Sequence, residues 1–199
     1  MDREAGLVYM GSMTESGQQR AISALAPYRD EIEKRVGGGA RMLVTGNAME
    51  IFGKYIDCGD GSRIDGLGLF DVCAKRDMAR RYNGLFLGKY DDMEIVGFAS
   101  RFSHLYDADS GVGVGAGAMF QTVKGAGRSP GDSREGLRRE NFMATYILGP
   151  LLILNPPFTR RLLNEMGAPG AAPPFEYAAM EAYEARLREF KNPKTGYEY

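Results

Sequence analysis

The order of apolar runs in the first 54 residues predicts strands that alternate with helices. Residues 7–10 form an apolar run, which predicts a short buried strand. Thr14 then opens a segment with apolar positions at helical spacing, and we expect Pro27 to divide this helix into two pieces. A second buried strand is predicted at residues 41–45, and a sharp turn leads into a helix at residues 48–54. This order predicts a parallel sheet with right-handed crossovers, and therefore an α/β fold.

The middle of the chain consists of short strand-like runs punctuated by glycine. Three such runs, at residues 68–72, 85–88 and 94–98, predict an antiparallel portion laid against the parallel core. Residues 111–117 alternate glycine with valine or alanine, and because they lack the Gly-Lys-Ser/Thr ending of a phosphate loop, we predict a hairpin or loop. Residues 124–139 are polar and rich in glycine, so a surface loop is predicted there.

The last third of the chain is predicted to form one apolar strand and two helices. The strand covers residues 142–148, and the first helix, at residues 158–166, follows a pair of prolines. A segment rich in Pro, Ala and Gly precedes the second helix, predicted at residues 175–191. We therefore expect two units: a domain at residues 1–170, and a hinge with a C-terminal helix at residues 171–199 that packs on the domain or extends from it.

Composition narrows the class of protein without defining a function. The 199 residues are 44% hydrophobic and 26% charged, and the formal net charge of -1 gives no reason to expect nucleic acid or a membrane as a partner. Cys58 and Cys73 are too few for a disulfide scaffold, and His104 is the one histidine, so no metal site is expected. No apolar stretch reaches the roughly 18 residues of a membrane span. These features predict a cytoplasmic protein without a metal or other cofactor.

Four blocks of sequence follow one another in a recognisable order. They are Val44-Thr45-Gly46-Asn47-Ala48-Met49-Glu50-Ile51-Phe52-Gly53, Asp65-Gly66-Leu67-Gly68-Leu69, Glu94-Ile95-Val96-Gly97-Phe98 and Ala144-Thr145-Tyr146-Ile147-Leu148-Gly149-Pro150. Together they resemble the class I glutamine amidotransferase-like family, in the group of cobyric acid synthase and the glutaminase subunit of lipid II isoglutaminyl synthase. The resemblance extends from about residue 7 to residue 166. It implies a flavodoxin-like fold with a mostly parallel central sheet flanked by helices.

The family chemistry depends on a cysteine and a histidine. The cysteine lies on a sharp strand-to-helix turn, where the helix N-terminus lowers its pKa, and the histidine acts as the general base. The resemblance assigns the cysteine to Gly46 and the histidine to Leu148, neither of which can hold or transfer a proton. It therefore implies that glutamine hydrolysis through a thioester is absent. The family also has a strand and a helix before the part that matches residue 7, so we expect a missing or truncated N-terminal β-α element.

Polar residues near the vacated turn are candidates for ligand binding. Thr45 could be a substitute nucleophile, although a polar strand end with Asn47 as helix N-cap is the simpler interpretation because no general base is evident. Glu50 takes the position of the family's glutamine and would either point into the pocket or lie on a helix surface. In the loop at residues 124–139, charges such as Arg128 would either bind an anion or be solvated. The candidates are Thr45, Gly46, Asn47, Glu50, Arg101 and Arg128.

Two hypotheses of function follow. In the first, the chain is a catalytically degenerate amidotransferase-like protein that binds, scaffolds or regulates a Mur-ligase-type synthetase subunit, or holds a small carboxylate or amide in the vacated pocket. In the second, it is an active amidase or amidotransferase that uses Thr45 or Glu50 in a non-standard mechanism. The resemblance implies the partner, an ATP-dependent Mur-ligase-type amidating enzyme. An exposed sheet edge would also allow an oligomer.

Overall fold

The computed structural model describes residues 6–108, 116–148 and 150–196. Within these ranges the chain forms thirteen strands and five α-helices. In chain order they are β1 Leu7–Met10, α1 Glu15–Leu25, α2 Arg29–Gly37, β2 Arg41–Thr45, β3 Tyr55–Asp57, β4 Arg63–Asp65, β5 Val72–Arg76, β6 Tyr82–Tyr90, β7 Met93–Arg101, β8 Ser103–Asp107, β9 Phe120–Lys124, β10 Arg134–Glu135, β11 Leu137–Arg139, β12 Phe142–Thr145, β13 Ile147–Leu148, α3 Leu151–Leu154, α4 Pro156–Glu165 and α5 Glu176–Lys191. Two 3₁₀ helices cover Ala26–Tyr28 and Gly46–Phe52. No helix of the described ranges is long and apolar enough to cross a membrane.

The central sheet has the strand order β1-β2-β12-β11. Its first three strands are parallel, and β11 is antiparallel to β12. The helices α1 and α2 connect β1 to β2, as the sequence predicted, and Thr14 caps α1 by accepting a hydrogen bond from the backbone N–H of Gly17. In the part of the chain that the structure describes, β1 is an edge strand of this sheet.

Two further sheets confirm the predicted antiparallel portion. One has the order β10-β9-β6-β7-β13 and is antiparallel throughout, and the other has the order β4-β3-β5-β8. The prediction of a strand at residues 68–72 is wrong, because β5 begins only at Val72. The preceding residues instead hydrogen-bond to the 3₁₀ helix Gly46–Phe52, through Leu67 N to Ile51 O and Leu69 N to Phe52 O.

Strand β2 is buried on both faces, which explains why its central residues are all apolar in sequence. Leu43 belongs to one core cluster, with Phe86 and Phe158, while Val44 belongs to another that lies on the opposite side of the sheet. Parallel strands covered on both faces are expected to be apolar at every position. The end of β2 is thereby fixed between two packed layers.

Three sequence predictions near this sheet need correction. The α-helix predicted at residues 48–54 is the 3₁₀ helix Gly46–Phe52, whose last five residues are at most 1% exposed, so it presents no solvent face. The strand predicted at residues 142–148 is divided at Tyr146 into β12 and β13, which belong to different sheets. The surface loop predicted at residues 124–139 contains β10 and β11 and two almost fully buried charged residues, Arg128 and Glu135, which are buried because they are paired.

The C-terminal helix α5 packs on the antiparallel sheet. Tyr183 and Phe190 of α5 form a cluster with Leu87 of β6 and Val96 of β7, and Tyr183 OH donates a hydrogen bond to Glu94 O at 2.8 Å. The boundary proposed at residue 170 stays a prediction. Of the glycine-rich run at residues 111–117, residues 111–115 lie outside the described ranges.

Candidate functional site

The turn that follows β2 is the corner around which the candidate site is built. Gly46 is buried and has a φ of +65°, a left-handed conformation that glycine adopts readily. A Cβ atom built on Gly46 would lie 2.0 Å from Ser12 Oγ and 2.9 Å from Leu148 Cδ2. The two positions that the resemblance assigns to the nucleophile and the base are therefore neighbours. Ser12 already occupies the space into which a side chain at Gly46 would extend.

A pocket with a volume of about 160 Å³ opens at this corner. Ser12 and Leu148 line it, and so do three arginines, Arg76, Arg81 and Arg101. None of the described residues that line the pocket is a cysteine or a histidine. The lining is thus polar and rich in positive charge, but it has no thiol or imidazole.

The residues that usually carry nucleophilic chemistry lie elsewhere. Cys58 is in the turn after β3, where Arg76 Nη1 lies 3.9 Å from its sulfur, and Cys73 is buried in β5. His104 is in β8 and half-buried, and its Nδ1 has no hydrogen-bond partner among the described residues. Burial, together with the charge of Arg101, lowers the pKa of His104. Within the described ranges no group of three or more His, Cys, Asp and Glu side chains is placed to hold a metal ion.

Glu50 is a buried acid that also lines the pocket, with 1% of its surface exposed. Its Oε2 accepts a hydrogen bond from Gln18 Nε2 at 3.0 Å, and its Oε1 accepts from Tyr146 OH at 3.2 Å. Ser103 Oγ also donates to Oε1. Burial raises the pKa of Glu50, and the hydrogen bonds from Ser103 and Gln18 oppose that rise. Of the two interpretations of Glu50, the structure favours the pocket over an exposed helix surface.

Gln18 of α1 connects Glu50 to Arg76. Its Nε2 donates to Asn47 O at 2.6 Å as well as to Glu50, and its Oε1 accepts from Arg76 Nη2 at 2.7 Å. Gln18 is fully buried, so each of these bonds satisfies a group that water does not reach. The amide thereby holds Arg76 at the pocket without an ion pair between Arg76 and Glu50.

Arg101 ends β7 and is only 4% exposed. Its guanidinium carbon lies 4.2 Å from the ring centroid of Tyr146 and 5.4 Å from that of Tyr82. Arg101 Nη2 donates to Gly127 O at 2.5 Å, whereas Nε and Nη1 have no hydrogen-bond partner among the described residues. Both nitrogens are enclosed by the protein, and a buried donor without an acceptor is costly.

Glu135 is a second buried acid, and it lies outside the pocket lining. Its Oε2 accepts from Thr145 Oγ1 at 2.6 Å, and its Oε1 accepts from Tyr146 N at 2.8 Å. Burial raises the pKa of Glu135 to about 7, against the hydrogen bonds from Thr145 and Tyr146 and the charges of Arg101 and Arg128. Glu135 thus fixes the backbone at Tyr146, where the chain leaves β12 for β13.

The structure brings some of the predicted site residues together. Asn47, Glu50 and Arg101 line the pocket, and Gly46 lies beside two of its lining residues. The prediction that Asn47 caps a helix is wrong. Its Oδ1 accepts from Met13 N at 3.0 Å and its Nδ2 donates to Met13 O at 2.8 Å, so it ties the turn after β1 to the corner after β2.

Besides Gly46, two of the predicted residues are outside the lining. Thr45 Oγ1 shares a hydrogen bond of 2.9 Å with Tyr9 OH, and Thr45 is 3% exposed. Arg128 is 1% exposed, and its Nη2 pairs with Asp107 at 3.1 Å and Asp132 at 3.4 Å. Both side chains therefore have partners within the fold.

Sequence reasoning missed several residues of the pocket lining, among them Ser12, Arg76 and Arg81. Ser12 had a usable signal, because the residues that follow two neighbouring parallel strands meet at the same edge of a sheet. No sequence signal marked Arg76 and Arg81, because their positions depend on how β5 and β6 join their sheets.

Comparison with known proteins agrees with the fold described above. A solved structure, described as a crystal structure of glutamine amidotransferase, has a TM-score of 0.53 with this chain at 16% sequence identity, and the match covers 81% of this chain and 79% of that one. The chain thus has the flavodoxin-like fold of class I glutamine amidotransferases, as predicted. No family model matches it.

A curated protein gives a more specific similarity. It is the lipid II isoglutaminyl synthase (glutamine-hydrolyzing) subunit GatD of Staphylococcus aureus (strain N315), which is 24% identical over 162 residues. The match covers 81% of this chain and 64% of GatD, so the chain spans less than two thirds of that relative.

Proposed function

We propose that this chain is a catalytically degenerate glutamine amidotransferase-like protein that serves as a binding, scaffolding or regulatory subunit. The corner at Gly46 carries the proposal. A residue without a side chain stands at the matching nucleophile position, with Ser12 in the adjacent space and a hydrocarbon, Leu148, at the matching base position. Such a corner offers no thiolate to form a thioester and no imidazole to move its proton.

The similarity to GatD supports the proposed role in a complex, because the name of that relative describes it as a subunit of a glutamine-hydrolysing synthase. The proposed partner is an ATP-dependent synthetase of the Mur-ligase type that amidates a carboxylate in the cytoplasm. In this role the chain would support or regulate amidation by that partner without hydrolysing glutamine itself.

An active enzyme with a non-standard nucleophile is less well supported by the contacts. The Thr45 hydroxyl is engaged with Tyr9 and lies outside the pocket lining. Both carboxylate oxygens of Glu50 accept hydrogen bonds from buried donors. Each side chain therefore has a structural task that a catalytic cycle would interrupt.

A glutaminase assay tests the proposal. The purified chain is incubated with L-glutamine, alone and with a Mur-ligase-type synthetase from the same organism, and released glutamate is measured. We expect no release above that of buffer, and no covalent adduct in intact mass after treatment with a diazoketone analogue of glutamine. A cysteine-containing glutamine amidotransferase is the positive control for both readouts. Glutamate release by the chain alone would contradict the proposal.

The proposed role as a subunit is tested separately, by measuring whether the chain forms a complex with the synthetase. Light scattering after size-exclusion chromatography of the chain mixed with the synthetase should give the mass of a mixed complex. If the two proteins elute separately at micromolar concentrations, the proposed partner is wrong, whatever the result of the glutaminase assay.

A further inference from the structure

Strand β1 has an outer edge that no strand covers within residues 6–108, 116–148 and 150–196. Its residues Leu7–Met10 pair with β2 on one side, and β1 is the last strand in the order β1-β2-β12-β11. A strand directs its backbone N–H and C=O groups alternately to its two sides. The groups on the outer side of β1 are therefore available to another strand.

The edge strands β4 and β8 are protected in ways that β1 is not. Strand β4 carries a charged side chain at each end, Arg63 and Asp65. Strand β8 is covered by a loop, because Leu105 N donates a hydrogen bond to Arg128 O at 2.9 Å. Charged side chains and covering loops are two of the means by which proteins prevent edge strands from pairing. The four residues of β1 are uncharged, and no loop of the described ranges bonds to their backbone.

The exposed side chains of β1 are apolar. Val8 is 41% exposed and Tyr9 is 58% exposed, and they lie on opposite faces of the sheet because successive side chains of a strand alternate. Met166, which follows α4, is also exposed, and a Cβ built on Gly6 would lie 3.5 Å from its Cε. The apolar surface thus extends from the strand edge to the end of α4. An open edge with apolar side chains is the kind of surface that pairs with another chain.

The charge pattern favours a second copy of the same chain as the occupant of this edge. An antiparallel pair of identical strands about a two-fold axis brings identical residues close together, so a charge in the strand would meet its own like. No charged residue occurs from residue 5 to residue 13, so two copies of β1 meet without this repulsion. The net charge of -1 adds little repulsion at long range. The strand is therefore complementary to itself.

We propose that β1 pairs antiparallel with β1 of a second copy of this chain, so that the two central sheets form one continuous sheet in a symmetric dimer. The carboxyl ends of the two β1 strands then point in opposite directions, which places the two corners formed by Ser12 and Gly46 at opposite edges of the joint sheet. Val8 and Tyr9 are outside the pocket lining, so the pairing uses none of its residues. The inference is therefore independent of the proposed function.

Sedimentation equilibrium of the full chain, alone and over roughly 1–300 µM, tests dimer formation. We expect the mass of two chains at the upper end of this range. Val8→Lys should raise the dimer dissociation constant at least about tenfold, because it places a lysine of each copy in the pairing edge. Val123→Lys is the matched control, at a valine of β9 that is 52% exposed, and it should dimerise as the wild-type chain does. Thermal unfolding shows whether both variants are folded.

Cysteine cross-linking measures the pairing directly and determines its register. Residues that lie opposite each other in an antiparallel pair have Cα atoms about 4.5–5.5 Å apart, a separation that a disulfide spans. Two-fold symmetry allows residue 8 or residue 9 to face its own copy, so either Val8→Cys or Tyr9→Cys should form a covalent dimer on mild oxidation. The wild-type chain, which has Cys58 and Cys73, and Val123→Cys should not.

A wild-type chain that stays monomeric over the whole concentration range would overturn the inference. So would a dimer that Val8→Lys and Val123→Lys weaken equally, or β1 cysteines that cross-link no faster than Val123→Cys. If Val8→Lys does not fold, the cross-linking decides alone. A dimer that is weakened by Val8→Lys only, and that is cross-linked through β1, supports the pairing. Since the synthetase and glutamine are absent from these samples, failure here is distinct from failure of the proposed function.

Discussion

Ser12 Oγ lies 2.0 Å from the position that a Cβ atom on Gly46 would take. The serine follows β1 and the glycine follows β2, which are adjacent parallel strands, so their carboxyl ends meet at one edge of the sheet. A side chain at position 46 would therefore collide with Ser12 in the present conformation of this turn.

Gly46→Ala should therefore destabilise the protein for two separable reasons. The left-handed backbone costs about 1 kcal/mol for a residue with a Cβ, and the clash with Ser12 adds about 1–3 kcal/mol. Ser12→Gly should remove the clash with Ser12 and leave the approach to Leu148 Cδ2 at 2.9 Å, so the cost of Gly46→Ala in that background should fall by at least about 1 kcal/mol. Urea unfolding of the four proteins of this cycle measures the difference.

Gly68→Ala is the matched control for this cycle. Gly68 has the same φ of +65°, but a Cβ built there has no atom within 4 Å. We expect Gly68→Ala to lower the free energy of unfolding by the backbone cost alone, and by the same amount in the wild-type and Ser12→Gly backgrounds. Equal costs for Gly46→Ala in the two backgrounds would mean that Ser12 moves aside freely.

Gln18→Leu should cost about 2–4 kcal/mol of the free energy of unfolding. It removes a donor from Glu50 and from the Asn47 carbonyl, and an acceptor from Arg76, all at a fully buried position. Gln19→Leu, at the exposed neighbour in α1, should change stability by no more than about 0.5 kcal/mol. Denaturant unfolding of both variants at pH 7 measures this, and similar values for the two would show that the Gln18 network contributes little.

Glu135 should make stability depend on pH between its ordinary pKa and the raised one. The pKa is 4.5 when the group is unperturbed and about 7 in the folded chain, so the folded state binds the proton more tightly. The resulting stabilisation is fully present below about pH 4.5 and is lost as the pH rises through about 7, by about 3 kcal/mol in total. Glu135→Gln lacks this dependence.

The comparison is made as the difference in unfolding free energy between wild type and Glu135→Gln from pH 4.5 to pH 8. We expect the difference to shift by about 3 kcal/mol in favour of the variant as the pH rises. A constant difference for Glu135→Gln would mean that folding does not shift the pKa of Glu135.

The parallel part of the fold was predictable because its signals are local. Strand β2 was predicted with its bounds, since burial on both faces makes every residue from Met42 to Val44 apolar. The cap at Thr14 has a signature of its own in the sequence. The resemblance to amidotransferases then placed Gly46 and Leu148, which the structure shows side by side although 101 residues separate them in the chain.

The polar interior was not predictable from local pattern. Residues 124–139 have the composition of a loop, and only the partners Thr145 and Asp132 explain why Glu135 and Arg128 are buried. The change of sheet at Tyr146 is likewise invisible in an apolar run. Where charges are buried because distant groups pair with them, a single sequence carries no marker of either partner.

Asn155 replaces a missing strand partner of β7, and Asn155→Ala should show its contribution. Among the described residues, strand β13 pairs with β7 at Phe98 and Ala99 and no strand pairs with the outer edge of Val96. Asn155 Oδ1 accepts from Val96 N at 2.8 Å, and Asn155 Nδ2 donates to Val96 O and Leu151 O, both at 2.9 Å. The side chain thus imitates a paired backbone, at a site with no exposure to water.

Asn155→Ala leaves three buried backbone groups unsatisfied, so we expect a loss of about 2–4 kcal/mol. Asn155→Asp keeps the acceptor for Val96 N but removes both donations, and it buries a carboxyl group without a partner, so it should not restore stability. Asn164→Ala, at an exposed position of α4, should stay within about 0.5 kcal/mol of wild type. Hydrogen exchange at the Val96 amide gives the local readout: protection should fall in Asn155→Ala, and unchanged protection would mean that water replaces the asparagine at this edge.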